Sequence, residues 1–120
     1  MKTIVFYAGL FLLLGTVAVA APKTFIGQIM DNFCATAGSH KSMYTGKGDP
    51  NSPGARRQCT LKCVAMGGKF VLYNKATKTT YKLDDQEKPR EFAAEKVKVT
   101  GAYDPSTMTI HVESIRKAAL

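Results

Sequence analysis

The sequence contains no glycine-rich phosphate loop, no dinucleotide-binding fingerprint and no Cys-x-x-Cys-His attachment site. Nucleotide-cradling and covalent haem chemistry therefore have no motif to rest on. There is no internal repeat and no low-complexity tract. Acidic residues are scarce, nine against seventeen basic ones, for a formal charge of +8. Beyond residue 21 no apolar run approaches the length needed to span a bilayer. Before it, from Ile4 to Ala21, there is no charged side chain at all, and no cysteine lies near the end of that run to take a lipid anchor.

What is present at the start is an export signal. Met1-Lys2 supplies one positive charge, Phe6 to Val17 an apolar stretch, and Ala18-Val19-Ala20 a small-residue cleavage site. The pattern predicts a signal peptide over residues 1–20 and an exported product, periplasmic or secreted, running from Ala21 to Leu120 with no membrane span. About a hundred residues is the size of one domain with a modest core, which a covalent or metal staple would help. Removing Lys2 leaves a formal charge of +7. The basic residues are mostly single, the nearest thing to a cluster being Arg56-Arg57 with Lys62. They read either as a solubilising surface or as an attraction to an anionic component of the cell envelope. Export, and the lack of interleaved basic and aromatic residues, count against nucleic acid as a partner.

Along the mature chain, Thr24–Met30 reads as a first strand, with Phe25, Ile26 and Ile29 as core residues and Gly27 marking a bulge or bend. Thr36–Ser52 is loop by composition. Ser52-Pro53 has the chemistry of a helix start and Gly67-Gly68 that of a stop. Between them Ala55, Cys59, Cys63 and Met66 share one helical face. Lys69–Asn74 and Thr79–Leu83 read as a hairpin, and Asp84–Glu95 as a turn and short helix. Lys96–Tyr103 and Thr107–Ile115 alternate strictly around Asp104-Pro105-Ser106. That alternation places Val97, Val99, Met108, Ile110 and Val112 on the inner face. Strand, helix, strand, strand, short helix, strand, strand is the order of a five-stranded OB-like barrel, or of a half-open sheet with the same connections. The segment 34–67 is then an insertion after the first strand.

The chain resembles a family of small exported bacterial proteins classed as a domain of unknown function. The resemblance lies in Gly27-x-Ile29-x-Asp31-x-x-Cys34, His40-x-x-Met43, Cys59-Thr60-x-x-Cys63, Phe70-Val71-Leu72, Phe92-Ala93, Val97-Lys98-Val99-Thr100-Gly101 and Ile110-x-Val112-x-Ser114-Ile115. It departs in the long loop before the helix, and in Ala93-Ala94-Glu95, where a glycine is expected. The resemblance implies export and an OB-like fold and supplies no mechanism.

All three cysteines fall between positions 34 and 63, together with His40 and Met43. Thiols at i and i+4 of a helix can address one ion, as paired histidines do in helical zinc motifs. Cys34, His40, Cys59 and Cys63 would make a four-coordinate zinc set, while Met43 with the thiolates would suit copper(I). Exported cysteines also pair, so Cys34 with Cys59 or Cys63 is a disulfide candidate; three buried free thiols are the remaining alternative. Enzymatic constellations are thin. Cys34 and His40 six residues apart in a loop form no triad pattern, and Asp84-Asp85 with Glu87 look like a solvated turn or cap. Two functions stay open: a non-enzymatic binding module whose Cys/His cluster holds a soft metal or handles thiols, and a disulfide-stapled interaction module with a basic face. N-terminal sequencing of the exported product should begin at Ala21-Pro22; a membrane-bound product that retains Met1 would contradict the signal.

Overall fold

A computed structural model describes residues 21–37, 48–49 and 52–118. Five strands, β1 (Lys23–Asp31), β2 (Phe70–Asn74), β3 (Thr79–Leu83), β4 (Lys96–Asp104) and β5 (Thr109–Lys117), form a closed barrel in the order β1-β2-β3-β5-β4. This is the expected OB-like arrangement. Two helices, α1 (Asn32–Ala37) and α2 (Pro53–Ala65), follow β1, and a short 3-10 helix (Lys88–Phe92) separates β3 from β4. Among the described residues no helix is long and apolar enough to cross a membrane.

β1 serves two neighbours. Lys23–Gln28 pairs with β4 and Gln28–Asp31 with β2, so the strand changes partner at Gln28. Gly27 permits the corner, because a Cβ there would lie 2.6 Å from the Tyr73 carbonyl oxygen. Ile26, read from the sequence as core, is 47% exposed: the alternation that buries Ile29 inside the barrel sends Ile26 out.

The two hairpins turn in the same way. Asn74 Oδ1 accepts from the amides of Ala76 and Thr77, and Asp104 Oδ1 accepts from the amide of Ser106. The hydroxyls of Thr77 and Thr79, and those of Thr107 and Thr109, lie 2.9 Å apart. Each turn ends in a left-handed residue, Lys78 at φ 52° and Met108 at φ 54°. Met108 therefore belongs to the turn and is exposed, which corrects its placement on the inner face of the last strand.

The barrel closes where β3 and β5 run parallel, a seam of two residue pairs, Lys82 with Thr109 and Leu83 with Ile110. The Asp84 carboxylate extends it by accepting from the Val112 amide at 2.8 Å, with His111 Nδ1 3.1 Å away. Burial alone would raise the Asp84 pKa. These hydrogen bonds outweigh it and hold the carboxyl below its ordinary value. Asp85 braces the turn that leads into the 3-10 helix, accepting from the amides of Glu87 and Lys88. With those amides and the Lys88 ammonium beside it, the Asp85 pKa falls to about 2.

Inside the barrel lie Ile29, Phe70, Leu72, Leu83, Ala93, Val97, Val99 and Ile110. Phe25, Tyr81 and Tyr103 pack against this core as a triad with centroids 5.1–5.6 Å apart. Ala94 stands at φ 65°, a left-handed conformation that favours glycine. Its amide bonds to the Ile29 carbonyl at 2.8 Å, which holds the left-handed conformation in place. Val112 is half-buried against the core, while Lys96 and Glu113 face water, as the alternation predicts; a register shift at Thr100/Gly101 then resets the phase, so that Ile115 also packs against the core. Val99→Ala should cost about 1–3 kcal/mol in a denaturant titration. Lys98→Ala should stay within about 0.5 kcal/mol. Equal costs would mean that Val99 does not fill the core.

Candidate metal centre

A second apolar cluster sits on the outer side of the barrel: Met30 and Val71 from the sheet, Cys34 and Ala35 from α1, Cys59 and Cys63 from α2. The pleat explains its place. Ile29 points into the barrel, so its neighbour Met30 points out, opposite Val71 on β2. The helices cover that outer patch.

Each helix is set by a cap. Asp31, the last residue of β1, accepts the Cys34 amide on Oδ2 at 2.9 Å and thereby starts α1. Asn32 fixes the same corner to the chain after α2: its amide donates to the Lys69 carbonyl, and its Oδ1 accepts the Lys69 amide. Ser52 Oγ accepts the Ala55 amide at the start of α2, with Pro53 in the first turn. At the other end Gly67, at φ 104°, donates to the Val64 carbonyl and Gly68 to that of Cys63. This is the Schellman closure that the Gly67-Gly68 pair predicts. The buried face of α2 is Ala55, Cys59, Thr60 and Cys63. Met66, expected on that face, is 71% exposed, because it is the C-cap and the helix has already ended.

One carboxylate oxygen of Asp31 and the sulfurs of Cys34, Cys59 and Cys63 all lie within 4.8 Å of one another. None of the four residues is more than 4% exposed. The convergence of the three cysteines is what the helical spacing required. The three are free, and the sulfurs of Cys34 and Cys59 are 3.4 Å apart. A bonded pair would stand at about 2.05 Å. The disulfide that export suggested is therefore not formed in this structure, and the contact is one thiol donating to the other.

Burial pushes the Cys34 thiol far up in pKa, and the neighbouring Asp31 carboxylate and Cys59 sulfur add to the effect. Burial likewise pushes Cys63 up to about 11, with the Asp31 charge as the next cause. Without a cation Cys34 and Cys63 are thus held in their protonated form. A bound cation reverses that balance, since a coordinating thiol gives up its proton.

Among the predicted ligands, Cys34, Cys59 and Cys63 come together, while His40 and Met43 lie outside the described residues. Asp31 is the donor that sequence reasoning missed. Its signal was the three-residue spacing to Cys34, which is that of an N-cap and the third helical residue. His111 is on the outward face of β5, as expected, and contacts Asp84 rather than the cluster.

Comparison with protein-family models, curated proteins and solved structures gave no match, so the site is read from its own geometry. Buried, protonated thiols react slowly. In the folded, metal-free protein all three should react with a thiol reagent at least about tenfold more slowly than in denaturant. A thiol that reacts equally fast in both states would contradict its burial.

Proposed function

We propose that this is an exported, non-enzymatic binding module whose cysteine cluster holds a soft metal ion. The observation that carries the reading is the gathering of three thiols from two helices into one buried site, all within 4.8 Å. A tetrahedral zinc ion with Zn–S of about 2.3 Å keeps its sulfurs about 3.8 Å apart, so the cluster has the right size. The burial argues for holding rather than catalysis. A catalytic zinc keeps a ligand position open to water or substrate, whereas a holding or structural site is closed. Ligand atoms that stand almost wholly out of solvent belong with the second kind.

The 3.4 Å contact between Cys34 and Cys59 supports one other reading, a module stapled by their disulfide with its basic surface turned to an anionic envelope partner. Intact mass, denatured and native, separates the two. A metal-holding module should show three reduced thiols when denatured, one ion retained when native, and a lower melting temperature after chelation. At a free ion concentration a hundred to a thousand times the dissociation constant, the ion would add about 3–4 kcal/mol. A denatured mass about two daltons low, with no ion retained, would establish the staple instead.

A further inference from the structure

We infer that Asp31 is the fourth ligand of the cluster, so that the site takes a divalent, zinc-class ion through three sulfurs and one carboxylate oxygen and discriminates against copper(I). This rests on the metal-holding reading above and specifies its ion.

The two oxygens of Asp31 are in different situations. Oδ2 accepts the Cys34 amide at 2.9 Å. Oδ1 is buried and has no hydrogen-bond partner among the described residues. The whole residue is 0% exposed. A buried carboxylate oxygen without a partner is costly, by about 1–3 kcal/mol even for a neutral group and more for a charged one. One oxygen anchored by the backbone and one left over is a carboxylate oriented for a cation. The sulfurs that would share that cation lie within 4.8 Å of a carboxylate oxygen of the same residue and of one another.

The donor set selects the ion. Copper(I) is satisfied by soft sulfur and gains little from a carboxylate. Zinc is borderline and accepts carboxylate oxygen at about 2.0–2.2 Å beside thiolate. Three thiolates and a carboxylate carry four negative charges, which a divalent ion offsets better than a monovalent one. Helix α2, which supplies two of the thiolates, carries Arg56, Arg57 and Lys62 and no acidic residue, so the surplus negative charge lies against a basic element.

The test is competitive titration of the full-length exported chain with zinc and, separately, copper(I), for the unaltered protein, Asp31→Asn and His40→Ala. Asn keeps a carbonyl oxygen to cap α1 and loses the charge. Asp31→Asn should weaken zinc by at least about tenfold and copper(I) by less than about threefold. His40→Ala should change neither. X-ray absorption of the unaltered zinc-loaded protein gives a check that needs no variant: three sulfurs at about 2.3 Å and one oxygen at about 2.0 Å. Equal loss of both ions in Asp31→Asn would make Asp31 a structural cap only and overturn the assignment. A nitrogen in the zinc shell, with zinc lost in His40→Ala, would give the fourth position to His40. Failure of the unaltered protein to retain any ion would overturn the cluster reading as a whole, whatever Asp31 does.

Discussion

The fold turns on the absence of a side chain at residue 27. A Cβ there would lie 2.6 Å from the Tyr73 carbonyl oxygen and 3.0 Å from Leu72 Cγ, so only glycine lets the backbones approach this closely. Because they do, β1 can leave β4 and join β2 without being interrupted. The barrel closes through that one strand, with its opposite seam between β3 and β5 only two residue pairs long. The corner also fixes phase. Ile29 enters the barrel core, Met30 faces outward, and Asp31 arrives at the end of the strand where α1 must begin. A one-residue slip would exchange these roles and remove both the inner core and the outer cluster.

Two cores of different chemistry follow. The inner one is aliphatic and aromatic, and it is large enough to close a small barrel. The outer one lies between sheet and helices, and its members are mostly small: three cysteines and an alanine beside Met30 and Val71. Cysteine behaves there as a compact apolar group. Asp31 does not, since burying a carboxylate is unfavourable unless it is paired. Gly67 and Gly68 end α2 sharply at Met66, which leaves Cys63 one turn inside the helix, above the sheet, rather than at a fraying end.

Much of this was legible in the sequence, because its signals are local. Alternation marked both strands of the last hairpin, Ser52-Pro53 and Gly67-Gly68 marked the ends of α2, and the four-residue spacing of Cys59 and Cys63 placed both thiols on one face. What was not legible depended on tertiary approach or on elements too short to show a period. Helix α1 has six residues, fewer than two turns, so no apolar stripe could reveal it. Met66 fits the helical period and is nevertheless exposed, because periodicity cannot say where the helix stops. Met108 fits the strand period and is exposed because the turn ends in left-handed backbone two residues later than composition suggests. Asp31 falls just past the strand read from the sequence and was not among the candidate ligands; its cap on α1 had a local signal in the spacing to Cys34, but its place beside three thiols arises only when α2 folds back over β1.

Under the metal-holding proposal, the same burial that gathers the thiols would also govern how the site changes state. With no cation present, ionising a thiol would place a second negative charge in a dry pocket next to Asp31, and the raised pKa of Cys34 and of Cys63 expresses that cost. Each thiolate formed would oppose the next. A divalent ion removes the opposition for all of them together, because each sulfur that loses its proton gains a bond to the ion. Partial loading, with one or two thiolates on a metal and the rest protonated, would combine the desolvation cost with an incomplete shell. If the cluster holds an ion as proposed, it would have two states, a metal-free pocket that packs as apolar surface and a fully ionised shell around the cation. The step between them would then release protons as the ion enters.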